Sequence, residues 1–286
     1  MVSAFSLPLF FTGLFGYFIG WSDNLVIGKL LTADKLGVYA VAYSLAHMLT
    51  FVVQSFSGIF VPLITEARVK NSSSEVTFLF KKSAAWIFGL TFPVYLVLIA
   101  FSSFILNFLY GEQYVSGSTS LAILSTGMMV SVSLGLSSSV LILHKKTFFT
   151  FIVNMSVALF NILLTIFLVP HWGIKGAAIS SSISLILISF AFVIKAGYYE
   201  KIFFDLKYYL KFIFSGIISI LIATRIDFSS SELFTVILSG VIYLILYLIL
   251  LILLKTFKSD DKEIFQAIAV KLGLRHSVII KLIKAL

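Results

Sequence analysis

The apolar run at residues 234–254, FTVILSGVIYLILYLILLILL, decides the fold of this chain. It holds 21 consecutive residues without a charged side chain, and about 20 apolar residues span the hydrocarbon core of a bilayer as an α-helix. Lipid offers no partner to backbone N–H and C=O groups, so the run must satisfy them internally. A run this long and this uniformly apolar is a helix rather than a barrel strand. It therefore predicts a membrane-spanning helix.

Seven further runs of the same kind precede it in the sequence. To within about three residues at each end, the eight predicted spans lie near 5–28, 36–62, 84–106, 119–142, 148–169, 174–194, 210–226 and 234–254. The sequence thus predicts an all-α polytopic membrane protein with eight transmembrane helices.

The composition excludes most other classes of protein. Apolar residues make up 60% of the chain and charged residues 12%, with a mean hydropathy of +1.10, whereas about a quarter of a soluble domain is charged. Because there is no cysteine, disulfides, a thiolate nucleophile and a Cys-ligated metal are excluded. The net charge of +9 comes from basic residues between apolar runs, so the expected partner is membrane lipid and not nucleic acid.

The basic residues also orient the predicted helices. With eight spans, 17 of the 21 Lys and Arg residues fall on the side of the N-terminus and 4 on the other, namely Lys29, Lys35, Lys175 and Arg225. Cytoplasmic loops carry the Lys and Arg excess. Both chain ends are therefore predicted to be cytoplasmic, in a multi-pass protein of the cytoplasmic membrane.

Two segments have an interfacial rather than a spanning pattern. Residues 196–210, AGYYEKIFFDLKYYL, interleave aromatic rings with lysines, which favours the headgroup level. Residues 262–286 place apolar side chains mostly three or four residues apart among basic ones, which predicts an amphipathic helix on the inner leaflet. The alternative for this second segment is a frayed basic tail.

A polar stripe follows the second predicted helix. Its members, spaced by three or four residues, are Tyr39, Tyr43, His47, Thr50, Gln54 and Ser57, and Pro62 is predicted to end the helix. Polar groups in hydrocarbon usually face a cavity or another helix. One interpretation is a cavity wall that hydrogen-bonds a polar substrate, and the other is interhelical bonding.

Three more polar residues lie inside apolar runs. Asp23 is a carboxylate in the first run and could bind a coupling cation. The alternative is a carboxylate hydrated from the outer surface, or paired with Lys29 or another helix. Asn154 and Asn161 are seven residues apart on the fifth predicted helix, where they either bridge helices or contact sugar hydroxyls.

The motifs of covalent chemistry are missing from the sequence. It has no Walker A motif, no G-x-S-x-G elbow and no HExxH. The predicted loops before the tail are too short for a catalytic domain. We therefore expect neither an enzyme nor a cofactor or metal site.

Three motifs together resemble the polysaccharide flippases of the multidrug/oligosaccharidyl-lipid/polysaccharide (MOP) exporter superfamily. They are DNLVIGK at 23–29 followed by LGVYAVA at 36–42, FVPLITE at 60–66, and VPHWGIKGAAIS at 169–180. The last is the most specific, and the resemblance covers roughly residues 5–196.

The resemblance implies that the chain corresponds to helices seven to fourteen of a fourteen-helix transporter. On this reading residues 1–196 form the six-helix C-terminal bundle, 197–256 two additional helices and 257–286 a basic cytoplasmic tail. The implied function is translocation of a lipid-linked oligosaccharide by alternating access. Its partners would be membrane lipids, the lipid-linked glycan and a missing N-terminal half or a second copy.

From the polar residues we expect a substrate cavity lined by Tyr43, His47, Gln54, Asn154 and Asn161, with Asp23 as the candidate for ion coupling. Three alternatives remain open. They are a drug or cation antiporter of the same superfamily, a membrane-embedded glycan-assembly enzyme, and a non-transporting truncated fragment.

Overall fold

The computed structural model describes residues 10, 13, 21–70, 72–200, 204–225 and 232–256, and within these ranges every regular element is a helix. The helices are α1 (residues 21–30), α2 (Ala33–His47), α3 (Thr50–Val69), α4 (Ser73–Ala100), α5 (Ser102–Tyr110), α6 (Ser118–Leu134), α7 (Leu136–Leu143), α8 (Thr147–Trp172), α9 (Ile174–Gly197), α10 (Leu206–Ala223) and α11 (Glu232–Leu253). A 3₁₀ turn at Glu112–Gly117 joins α5 to α6.

These helices confirm the predicted all-α membrane architecture. Seven helical stretches in the described ranges are long and apolar enough to cross a membrane, and they correspond to the second through eighth predicted runs. Of the first run, the structure describes residues 10, 13 and 21–28, the last of which belong to α1. The predicted amphipathic tail at 262–286 lies outside the described residues.

The helices reach further than the apolar runs that predicted them. α3 passes through Pro62 and ends at Val69, so the prediction that Pro62 ends this helix is wrong. α4 begins at Ser73, well before the predicted residue 84, and the Ser72 side chain caps it by accepting a hydrogen bond from the Glu75 N–H. Hydropathy marks only the part of a helix in hydrocarbon, whereas a capped helix continues into water.

The second predicted helix is broken in the middle of its polar stripe. The N–H groups of Met48 and Leu49 bond to carbonyls three residues back, at 3.2 and 3.1 Å, which is 3₁₀ rather than α geometry. The Thr50 hydroxyl donates to the His47 carbonyl at 2.8 Å. Two helices, α2 and α3, therefore meet at this point.

Close backbone contacts hold the first compact unit, residues 1–204. α6 packs extensively on α9, and a Cβ added at Gly127 would lie 2.6 Å from the Ser182 Cα. A Cβ at Gly176 would lie 2.5 Å from the Leu168 carbonyl oxygen. Gly173 links α8 to α9 with a φ of +58°. Small residues thus let the helix backbones approach closely here.

The second compact unit comprises residues 205–286. In its described part α10 packs on α11, and Lys211 Nζ donates to the carbonyls of Leu254 and Lys255 at 2.7 and 3.0 Å. That ammonium satisfies carbonyls that the end of α11 leaves without intrahelical partners. The predicted division of the chain into residues 1–196, residues 197–256 and a tail stays a prediction.

Candidate functional site

Asp23 is buried at the meeting point of four helices. Its side chain belongs to α1 and is 0% exposed. The Tyr39 hydroxyl of α2 donates to Oδ2 at 2.6 Å, and the Thr165 hydroxyl of α8 donates to Oδ1 at 3.0 Å. The Ser181 hydroxyl of α9 also donates to Oδ2. The carboxylate is therefore bonded to other helices, which is one of the predicted alternatives, and it is neither exposed at the surface nor paired with Lys29.

A second layer of polar groups surrounds the carboxylate. Asn161 Oδ1 accepts a hydrogen bond from the Ser22 hydroxyl at 2.9 Å, and its Nδ2 donates to Ser180 Oγ at 3.2 Å. Ser180 in turn donates to the Asn161 carbonyl at 3.0 Å, and its Oγ lies 2.7 Å from the Thr165 hydroxyl. Burying a charge in an apolar medium is expensive unless polar groups solvate it. These hydroxyls and the amide replace water around Asp23.

The ligand chemistry of this cluster is that of a monovalent cation. It offers one carboxylate with neutral hydroxyl and amide oxygens. In the ranges that the structure covers, no three His, Asp or Glu side chains are grouped as metal ligands. One negative charge balances one positive charge, whereas a dedicated divalent site usually has more carboxylates.

A groove lies at the break between α2 and α3. It has a volume of about 450 Å³. Its lining residues are Ser44, His47, Met48, Leu49, Thr50, Phe51, Val52, Gln54, Thr91 and Val94. His47 and Gln54 are exposed, and Gln54 Nε2 donates to the Thr50 hydroxyl at 3.2 Å. The groove thus presents an imidazole and an amide on a mostly apolar wall.

Thr91 also lines the groove, and no pattern in the sequence predicted it. It comes from α4 and is 0% exposed. Its hydroxyl is buried and has no hydrogen-bond partner among the described residues. Such groups are rare, since a buried hydroxyl without a partner destabilises the fold by about 1–3 kcal/mol. A single Thr in a long apolar helix carries no periodic signal that would have revealed it.

The predicted lining residues occupy different surroundings. The groove holds His47 and Gln54, and Tyr43 stacks on His47 with ring centroids 5.8 Å apart. Asn161 belongs instead to the Asp23 cluster. Asn154 Nδ2 donates to the Thr150 carbonyl of its own helix at 2.8 Å.

One aromatic row joins the carboxylate cluster to the groove. Along α2 the Tyr39 and Tyr43 rings lie 6.3 Å apart, and Tyr43 stacks on His47. Tyr39 contacts Asp23 and His47 lines the groove. Residues four apart are neighbours on a helix face, so a continuous set of side chains connects the two places.

Comparison with known sequences finds one protein family and two curated relatives. Residues 1–119 match the family described as "Polysaccharide biosynthesis protein". The chain is 25% identical over 170 residues to a probable low-salt glycan biosynthesis flippase, Agl15, of Haloferax volcanii, an alignment that covers 59% of this chain and 36% of that protein. It is 23% identical over 165 residues to an uncharacterised membrane protein of Methanocaldococcus jannaschii, covering 57% and 32%.

Comparison with solved structures identifies the fold. The lipid II flippase MurJ in an inward closed conformation matches with a TM-score of 0.58 at 20% identity, covering 79% of this chain and 51% of that one. An outward-facing multidrug resistance transporter of the MATE family also matches at 0.58, with 14% identity and coverages of 78% and 54%. So does a MOP superfamily transporter from Pyrococcus furiosus, with 13% identity and the same coverages. The chain shares the fold of these three structures and spans about half of each.

Proposed function

We propose that this chain, with its MOP transporter fold and a polysaccharide biosynthesis match over residues 1–119, is one bundle of a flippase for a lipid-linked oligosaccharide. It would move the glycan from the inner to the outer leaflet of the cytoplasmic membrane by alternating access. Alternating access needs two bundles, so an N-terminal half or a second copy would complete the transporter. The observation that carries the proposal is the groove at the α2–α3 break, which presents His47 and Gln54 on a mostly apolar wall.

The groove has the chemistry that a glycan requires. An imidazole and an amide, from His47 and Gln54, supply both donors and acceptors for sugar hydroxyls. Large apolar side chains beside them are open, with Met48 65% and Phe51 73% exposed. A cavity between this bundle and a second one would leave these residues exposed in the isolated chain.

The Asp23 cluster is our proposed coupling site, and the coupling ion would be a monovalent cation or a proton. In this structure the hydroxyls of Tyr39, Thr165 and Ser181 satisfy the carboxylate. A cation that binds Asp23 must therefore displace a donor. Tyr39 is the donor on α2, so its displacement would shift the aromatic row that ends at His47 in the groove. Occupancy of one site would then bias the other.

The proposed orientation has both chain ends in the cytoplasm. The support is the division of Lys and Arg residues between the two sides, 17 against 4. A fusion reporter at each end, active only in the cytoplasm, tests this orientation.

The groove disfavours a drug or cation antiporter as the function. None of its lining residues is Asp or Glu, and Asp23 is enclosed by hydroxyls. An organic cation would enter a groove without a counter-charge, which is unfavourable in a low-dielectric surrounding. A neutral, hydroxyl-rich ligand has no such penalty.

The test is glycan translocation in cells that lack their own flippase and carry the full transporter. We expect His47→Ala with Gln54→Ala to reduce translocation at least tenfold, because loss of two hydrogen bonds of about 1 kcal/mol each predicts a fall of that order. The matched control is Ser55→Ala with Thr65→Ala, two exposed α3 hydroxyls that bond to their own helix. Equal activity of both double variants at equal expression would exclude the groove as the glycan site.

A further inference from the structure

A second buried carboxylate lies at one end of the first unit, where three side chains from other parts of the chain contact it. Glu200 follows α9 and is 3% exposed. His144 Nε2 lies 2.9 Å from its Oε1, and the Ser73 hydroxyl donates to its Oε2 at 2.8 Å. Arg68 Nη1 lies 3.8 Å from Oε1. The α3–α4 connection, the α7–α8 connection and the end of α9 therefore lie at the same end of the bundle.

Two lysines lie beside this carboxylate on a common aromatic ring. The His144 ring stacks on Tyr199 with centroids 4.9 Å apart. Lys146 Nζ lies 5.1 Å from the Tyr199 centroid and Lys195 Nζ 6.0 Å from it. Lys195 Nζ is also 5.3 Å from the Phe149 ring. Ammonium groups at such distances are held by the negative faces of the rings.

These two ammonium groups have no counter-charge among the described residues. In the ranges that the structure describes, no carboxylate lies within ion-pair distance of Lys146 or Lys195. Glu200 is nearby, but His144 and Arg68 already contact its carboxylate. Both lysine side chains are half-buried, so water solvates them less than it does a free surface lysine. An anion that approached this cluster would find two positive charges that no described carboxylate neutralises.

The surroundings place this anion at the membrane surface. Tyr198, at the end of spanning helix α9, is 79% exposed, and exposed Tyr rings at helix ends lie at the headgroup level of a bilayer. The anion found at that level is the phosphate of a lipid. We propose that Lys146 and Lys195, held on Tyr199, bind the phosphate of an anionic lipid headgroup. This site needs only a membrane, so it stands whether or not the chain translocates a glycan.

Lipid binding by the purified full chain tests the proposal. Native mass spectrometry in detergent would count bound dioctanoyl phosphatidylglycerol, with dioctanoyl phosphatidylcholine as the neutral headgroup of equal tail length. Inorganic phosphate in a third arm separates a lipid from a free ion. The variant is Lys146→Gln with Lys195→Gln, and the control is Lys35→Gln with Lys175→Gln, which removes the same charge elsewhere.

We expect the intact chain to bind phosphatidylglycerol more tightly than phosphatidylcholine. Each lysine near an anionic surface is worth about fivefold in affinity, so the variant should weaken phosphatidylglycerol binding about 25-fold. The control should leave it unchanged. Should the double variant unfold in detergent, each single variant is expected to lose about fivefold.

Three results would overturn the site. They are equal loss in the variant and the control, equal affinity of the intact chain for the two lipids, and inorganic phosphate binding as tightly as phosphatidylglycerol.

Discussion

Removing one hydroxyl, by Tyr39→Phe, measures how strongly the buried carboxylate is held. The variant keeps the ring and deletes the 2.6 Å hydrogen bond to Asp23, in a side chain that is 0% exposed. A hydrogen bond to a charged group contributes about 1.5–3 kcal/mol, so we expect the free energy of unfolding to fall by about 2 kcal/mol. For a chain of this size that corresponds to a melting temperature about 3 °C lower. Thermal unfolding of purified protein in detergent measures it.

The matched control is Tyr43→Phe, one turn further along α2. The Tyr43 hydroxyl makes no hydrogen bond to any described residue, so its removal should change the melting temperature little. If the two variants unfold at the same temperature, the hydrogen bond to Asp23 contributes nothing to stability, and the Tyr39 hydroxyl does not hold the carboxylate.

Tyr39→Phe also reports on cation binding, where its expected effect is a gain in affinity rather than a loss of stability. If Tyr39 competes with a cation for Asp23, its loss should favour the cation by the same 2 kcal/mol or so, which is about 30-fold in affinity. Na⁺ would be titrated against choline at constant ionic strength while the melting temperature is followed, and a second series would vary pH for a proton. Weaker stabilisation of the variant than of the intact chain, in both series, would refute the displacement step.

Two further substitutions, each with a control, test the packing between helices and the buried hydroxyl beside the groove. Gly127→Ala should lower the free energy of unfolding by about 1–3 kcal/mol, because its Cβ would lie 2.6 Å from the α9 backbone. Gly58→Ala, with nothing within 4 Å, should raise it by up to about 1 kcal/mol. Thr91→Val removes a buried, unpartnered hydroxyl and should raise the free energy of unfolding by about 1 kcal/mol. Thr65→Val, exposed on α3, should leave the free energy of unfolding unchanged; an equal effect of the two variants would contradict a cost of the Thr91 hydroxyl.

The apolar runs were sufficient to predict the helices but not their ends. Long apolar runs must be helical in lipid whatever surrounds them, and seven of them recur in the described ranges. The ends depend on capping and on charged residues that continue into water. The Ser72 cap that begins α4 and the continuation of α3 beyond Pro62 are two such cases. The break at Met48–Leu49 also escaped prediction, because no proline or glycine marks it.

The sequence predicted which polar residues stand out but not which other residues they contact. Asp23 and the stripe from Tyr39 to Gln54 stand out because polar groups in apolar runs are expensive. Thr165 and Ser181, which contact Asp23, lie 142 and 158 positions away. Spacing along one helix says which residues share a face, but not which other helix that face meets.

The sequence by itself determined that this chain crosses a membrane as helices, and its loop charges predict which side each loop faces. Both follow from local physics, namely the transfer of backbone and charge into lipid. The tertiary structure alone decided that Asp23 is enclosed by hydroxyls from three other helices and that Lys146 and Lys195 meet on one ring. It also showed that Thr91 lines the groove without a partner. These depend on packing between distant helices, which small residues such as Gly127 and Gly176 permit and which no single segment encodes.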